Sequence, residues 1–180
     1  SITNFFSDSL PAKNFSFSRN GGTISVSRYS FLKQMHFERV SNISYDKMKL
    51  ELCSQPFSLQ YAEILTTNFL DMLHAYDKNH KPQLFEVLKT VNKYFLRHDS
   101  RNTSHIINKM QLIFRKRALN RKEQQQLQQI QNTTNNMIEK LAIAVLLQQP
   151  HIEQLYAKLS PEEQQAFNSW PIRNLWIKNP

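Results

Sequence analysis

The chain has very little glycine and cysteine for its 180 residues, with two glycines and one cysteine. Gly21 and Gly22 are too few for the glycine-rich loops that bind nucleotide phosphates. Cys53 has no second cysteine with which to form a disulfide or a cysteine-rich zinc site within the chain. These absences exclude the common glycine-dependent nucleotide-binding folds and the disulfide-stabilised scaffolds.

Long apolar runs are also missing, because no segment approaches the roughly 18 apolar residues of a membrane-spanning helix. Residues 1–10 have neither the basic start nor the apolar centre of an export signal. A single cysteine agrees with a reducing compartment. We therefore predict a cytoplasmic protein, which includes the host cytosol if the chain is delivered into a host cell.

What the chain does have is enough apolar material for a core. Hydrophobic residues make up 40% of the sequence and aromatic residues 11%, with twelve phenylalanines. This composition is typical of globular proteins, and the length suits one domain of ordinary size. We predict a single domain over residues 1–180.

Charge is strongly unbalanced toward the basic side. Lysine and arginine number 23 against 14 acidic residues, which gives a net charge of +9 and a pI near 9.7. The basic excess lies in the first 50 and the last 80 residues. Such a balance favours acidic partners, namely nucleic acid, anionic lipid or an acidic protein surface.

Alternation of apolar and polar residues predicts β-structure near the N-terminus. Two short alternating runs flank the Asn20-Gly21 pair, which is a strong hairpin signal. Further alternation predicts strands near 30–40 and 44–53, with a helix over 30–40 as the alternative. We expect an antiparallel meander of about four strands over 13–54, because such short connections cannot make parallel crossovers.

After Pro56 the apolar period changes to about 3.6 residues, which predicts helices. The segment 121–148 supports either one long helix or a break at its Asn/Thr-rich centre, and Ser160 with Glu163 forms a capping-box pattern. The predicted fold is α+β, with the meander followed by a bundle of five to six helices over 57–180. The expected helices cover 58–77, with Ser58 as its N-cap, 82–97, 103–119, 121–148, a segment after Pro150, and 160–169.

One dense basic cluster is the main candidate binding site. It consists of Arg115, Lys116, Arg117, Arg121 and Lys122. On one continuous helix these charges spread around the axis, whereas a junction between two helices gathers them. The cluster is either a phosphate-contacting patch or a solvated helix end. It has no interleaved aromatic residue, and no zinc-finger or RNP-type motif accompanies it.

The glutamine-rich segment 124–131 keeps helical spacing of its apolar residues, Leu127 and Ile130. One interpretation is a helix with an ordinary polar face. The other is a helix that stands partly free and receives a partner helix.

Signals for catalysis are weak. The six histidines form no HxH, HExxH or i,i+4 pair, and no nucleophile motif surrounds Cys53. We predict no catalytic residue, no metal and no cofactor, so binding is favoured over enzymatic activity. An active site assembled from distant residues stays open as an alternative.

The leading hypothesis is a non-catalytic protein-interaction or adaptor module that binds a protein partner. Its composition also suits a bacterial effector, or part of one, acting on a host protein. The first alternative is nucleic-acid binding through the basic cluster at 115–122. The second is peripheral binding to anionic membrane lipid, in which aromatic residues near the termini assist the cations. Those aromatic residues are Phe5, Phe6, Trp170 and Trp176; the alternative for them is that they pack onto the core.

Overall fold

Helices make up the regular secondary structure of the computed structural model, which describes residues 49–50 and 52–176. Within these residues there are seven complete α-helices, one 3₁₀ helix and no strand, and residues 49–50 and 52–53 are also helical. The α-helices are α1 (Leu59–Asn79), α2 (Pro82–His98), α3 (Thr103–Phe114), α4 (Arg121–Thr133), α5 (Met137–Leu146), α6 (Ile152–Ala157) and α7 (Pro161–Ser169); the 3₁₀ helix is Pro171–Leu175.

The predicted α+β fold is wrong, because the described residues contain no sheet. The predicted strand at 44–53 overlaps these residues at 49–50 and 52–53, and all four are helical. Strand alternation would place Leu50 and Leu52 on one face, yet Leu50 is 57% exposed and Leu52 only 2%. Residues two positions apart on a helix are separated by about 200° around its axis, which puts these two side chains on opposite sides. The hairpin at 14–28 and the strand near 30–40 lie outside the described residues.

The chain divides into two compact units, Ser1–His98 and Asp99–Pro180. The assignment of 1–180 to a single domain stays a prediction, because two such units can belong to one domain or to two. The described helices exceed the five to six predicted, because the segment 121–148 is broken in two.

In the first unit, α1 and α2 pack together as a helical hairpin. The predicted cap, Ser58, accepts a 3.0 Å hydrogen bond from the Tyr61 backbone N–H at the start of α1. His80 ends this helix in the left-handed conformation, with φ of 55°, and its N–H donates to the Tyr76 carbonyl. The short turn that follows reverses the chain into α2.

Two tyrosines hold the segment before α1 against this hairpin. The Tyr61 hydroxyl donates to the Leu52 carbonyl at 2.6 Å, and the Tyr94 hydroxyl donates to the Gln55 carbonyl at 2.8 Å. Both rings are almost fully buried, and their centroids lie 6.3 Å apart in an edge arrangement. Each buried hydroxyl therefore has a partner while its ring contributes apolar contact.

In the second unit, α5 is the central helix. Its residues 141–146 are all buried, and it contacts α3, α4, α6, α7 and the 3₁₀ helix. A helix that is apolar on every side must be covered on every side. The other elements of this unit are arranged around it for that reason.

The segment 121–148 is broken between α4 and α5. Asn136 caps α5 by accepting from the N–H groups of Ile138 and Glu139, at 2.9 and 3.2 Å. The buried Glu139 carboxylate accepts from the hydroxyls of Thr103 and Thr134, at 2.8 and 2.9 Å. The polar residues that make this stretch a poor helix former thus supply the cap and the bonds of the break.

A buried polar network joins α3 to the C-terminal segment of the same unit. Asn108 Oδ1 accepts from Gln111 Nε2 at 2.7 Å and from the Trp170 indole N–H at 3.0 Å. Asn108 and Gln111 are both almost fully buried. Because each polar atom named here has a partner, these hydrogen bonds offset the cost of desolvation and fix α3 against the C-terminal segment.

We expect Asn108→Ala to lower the free energy of unfolding by about 2–4 kcal/mol, because two buried donors lose their acceptor. Urea denaturation measures the change. The matched control is Asn168→Ala, which removes an exposed hydrogen bond to the Tyr156 hydroxyl and should change stability by no more than about 0.5 kcal/mol. Equal effects of the two substitutions would contradict the role of the network.

Candidate functional site

The basic cluster lies at a junction between two helices. α3 ends at Phe114, and the N–H groups of Lys116 and Arg117 both donate to the Ile113 carbonyl, which closes its last turn. The predicted helix 103–119 is therefore five residues too long. Beyond this turn the chain leaves the axis of α3, and Leu119 is buried in the core of the second unit.

Arg115 belongs to the packing of this unit. Its guanidinium donates to the Gln111 carbonyl at 2.8 Å, to Gln111 Oε1 at 3.2 Å and to the Pro171 carbonyl at 3.1 Å. These three bonds extend the Asn108 network to the 3₁₀ helix. Of the five predicted site residues, Arg115 thus has a structural task.

Arg117 forms a two-bond ion pair with Glu123. Its nitrogens lie 2.8 and 2.9 Å from the two carboxylate oxygens. The same carboxylate accepts from the Asn120 N–H, and the Asn120 side chain accepts from the Glu123 N–H, so α4 begins with a capping box. The ion pair therefore sits on a carboxylate that the helix start already holds in place.

The Arg117 hydrogen bonds lower the pKa of Glu123 to about 2, with smaller help from the Asn120 N–H and the charge of Lys109. A depressed carboxyl pKa favours the folded state above the ordinary pKa of glutamate, and this contribution is lost as the pH falls through about 2. Glu123 also raises the pKa of Arg117. The pair is thus fully charged throughout the neutral range.

The remaining cations of the cluster lie at the surface. Lys116, Arg121 and Lys122 are exposed, the last two at the start of α4. Lys109, on α3, is exposed as well and acts electrostatically on Glu123. The residues Lys109, Lys116, Arg117, Arg121 and Lys122 are called the cationic surface below.

Sequence reasoning missed Lys109, because it lies six residues before the cluster. The only available signal was its place outside the apolar pattern of α3, where Ile107 and Met110 face the core. That pattern shows that Lys109 is exposed and does not show that it approaches Glu123. The proximity depends on the angle at which α3 meets α4.

α4 is held by little apolar contact. Leu127 is its only buried residue, with Ile130 half-buried against the same core. On the inner side, Gln131 and Gln149 exchange hydrogen bonds of 2.9 Å through their side-chain amides. The structure thus gives α4 a polar outer face, and reception of a partner helix stays a prediction.

A shallow cleft of about 460 Å³ lies in the first unit, lined by Lys49, Leu50, Cys53, Ser54 and Thr90. Burial raises the pKa of Cys53 to about 11, although the charge of Arg97 lowers it in part. The nearby Tyr94 hydroxyl also has a raised pKa, about 12, mainly through burial. The thiol is therefore protonated at neutral pH, which does not suit a nucleophile.

Histidine and acidic side chains form no metal centre in the part of the chain that the structure describes, since no three potential ligands come together there. His105 is buried on α3, and burial lowers its pKa, so its imidazole is neutral at pH 7. Among the same residues, no helix combines the length and the apolar character needed to cross a bilayer.

Three comparisons, with protein-family models, with curated proteins and with solved structures, each find no match to this chain. The functional interpretation therefore depends on the geometry of its own residues.

Cys53 should react slowly with a thiol reagent such as iodoacetamide in the native protein. A pKa near 11 leaves about 100-fold less thiolate at neutral pH than the ordinary cysteine value near 9. The control is the same chain in concentrated urea, where the rate should rise to that of a free cysteine. Equal rates in the two states would show that the thiol is not protected.

Proposed function

We propose that this protein binds nucleic acid through the cationic surface at the α3–α4 junction. The observation that supports the proposal is the excess of positive charge at this junction. Five basic side chains surround the junction, and the carboxylate that approaches them, Glu123, is already paired with Arg117. Exposed lysine and arginine side chains are the usual phosphate contacts of nucleic-acid-binding proteins.

The lipid alternative has less support. Anchoring at a membrane interface needs exposed apolar or aromatic side chains beside the cations. Among the described residues the exposed large hydrophobic side chains are Leu50 and Leu59, both in the first unit. Trp176 is buried against Tyr156 and Phe167, and the half-buried Trp170 bonds to Asn108. Phe5 and Phe6 lie outside the described residues.

The protein-partner hypothesis, including an adaptor or bacterial effector role, stays a prediction. An acidic protein segment would satisfy the same cations, and so would nucleic acid. The two differ in the density of charge, because duplex DNA presents one phosphate about every 1.7 Å along its axis. Salt dependence of binding is therefore the property that the first experiment must measure.

We expect a labelled DNA duplex to bind with a slope of log affinity against log salt of about −3 to −4. This corresponds to a loss of roughly 50- to 250-fold between 50 and 200 mM salt, measured by fluorescence anisotropy. The triple variant Lys109→Glu, Arg121→Glu, Lys122→Glu should weaken binding and make the slope shallower by about 2.7, because three phosphate contacts are lost.

A control with the same change of net charge is Lys78→Glu, Lys93→Glu, Lys158→Glu, at three exposed positions, two in the first unit and one directly after α6. This variant should keep most of the binding and of the slope. Equal losses in the two triple variants would mean that overall charge, rather than the junction, attracts DNA. No binding to either a duplex or a single strand at 50 mM salt would contradict the proposal outright.

Glu123→Gln should strengthen duplex binding, because Arg117 is then released from its ion pair to contact a phosphate. We expect the salt slope to become steeper by about 0.9, the value of one added contact. Glutamine can replace glutamate in a capping box, so the start of α4 should remain intact. Circular dichroism and the urea midpoint check this.

Glu163→Gln provides the matched control. Glu163 occupies the corresponding position in the capping box of α7, where it accepts from the Ser160 N–H at 2.9 Å. Both substitutions remove one negative charge from a capping box, but only Glu123 pairs with Arg117. A similar gain in DNA affinity from Glu163→Gln would show that net charge alone explains the effect.

A further inference from the structure

The outer face of α4 is a polar surface of unusual composition. Measured around the helix from the buried Leu127, Gln125 and Gln129 lie at about 160° and 200°, with Lys122 at about 220°. All three side chains are exposed, as are the flanking Gln126 and Asn132. Lys122, Gln125 and Gln129 therefore lie along the side of α4 that is opposite the core of the unit.

No acidic residue lies on this face. The one carboxylate of α4, Glu123, lies only about 40° from Leu127, on the side where Arg117 binds it. The side-chain amides of Gln125 and Gln129 make no hydrogen bond to any residue in the described part of the chain, whereas those of Gln128 and Gln131 are bonded. The face thus offers hydrogen-bond donors and acceptors without negative charge.

The chemistry of this face fits the base edges of DNA. A glutamine amide offers one donor and one acceptor in the arrangement that adenine N7 and N6 present in the major groove. The thirteen residues of α4 make a helix about 20 Å long, and the major groove, about 12 Å wide, admits such a helix. Arg121 and Lys122 lie at the N-terminal end of α4, where they would contact the phosphates that flank the groove.

We propose that α4 enters the major groove of duplex DNA and that Gln125 and Gln129 contact base edges there, with adenine as the favoured base. This inference rests on the proposed function, since the cationic surface supplies the phosphate contacts that position the helix. The two residues are one helical turn apart on the same line, so they reach different base pairs of one site.

The observations favour duplex DNA over other nucleic acids. The major groove of double-stranded RNA is too narrow for side chains to read its bases. Single-strand binding uses exposed aromatic side chains on which bases stack. In the described residues of the second unit, no large aromatic side chain is exposed.

The test compares sequence preference with salt dependence in one protein. A randomised duplex library is first selected with the full chain, and the affinity of the selected duplex is measured against a scrambled duplex of equal length. We expect the selected duplex to contain adenine within its preferred positions. In Gln125→Ala, Gln129→Ala the preference should fall by about 10- to 100-fold, while the salt slope stays unchanged.

The matched control is Gln154→Ala, Gln165→Ala, which removes two exposed glutamines from α6 and α7. This variant should keep the preference of the unchanged chain. Salt-dependent binding with no selected sequence, or with a preference that survives Gln125→Ala, Gln129→Ala, would overturn the groove assignment and leave the proposed function standing.

Two further outcomes bear on the proposed function itself. Absence of binding to both duplex and single-stranded DNA at 50 mM salt would overturn it together with the groove assignment. Tighter binding to a single strand would overturn the groove assignment alone, whereas tighter binding to a poly-glutamate peptide of equal charge would overturn the proposed function as well.

Discussion

The complete burial of α5 is the constraint on which the second unit depends. Residues 141–146 have no polar side for solvent, so five other elements must cover them. The chain breaks at Asn136, which caps α5, and Leu119 is buried in the same core. α4 covers one side of α5 and contributes Leu127 and little else to the core. The other residues of α4 are mostly polar, and its outer face is exposed.

Side-chain contacts then divide the basic cluster into parts with different tasks. Arg115 is used inside the unit, where it joins α3 to the Pro171 carbonyl. Arg117 is neutralised by Glu123, while Arg121 and Lys122 remain exposed at the start of α4. The basic residues of the cluster therefore differ in how far their charges are available to a partner. For this reason we assign phosphate contact to the cationic surface and base contact to the neighbouring glutamine amides.

Local signals predicted the helices after Pro56 well and the short described segment before it poorly. Ser58 and the Ser160–Glu163 capping box were identified correctly, because caps depend only on neighbouring residues. The strand predicted at 44–53 was wrong at its described residues, 49–50 and 52–53, since a short alternating run also fits a helix when one apolar residue stays exposed. At the candidate site, sequence located the basic cluster but not Lys109 or the Glu123 pairing, because both depend on how α3 meets α4.

The most direct test is an NMR titration of the ¹⁵N-labelled chain with duplex DNA, which follows backbone amides and glutamine side-chain amides together. The account predicts shifts at the α3–α4 junction and along α4, including the side-chain NH₂ groups of Gln125 and Gln129. Signals of α6 and α7 should stay in place. Shifts confined to other parts of the chain, with α4 unaffected at saturating DNA, would contradict the assignment of α4 as the DNA-binding helix.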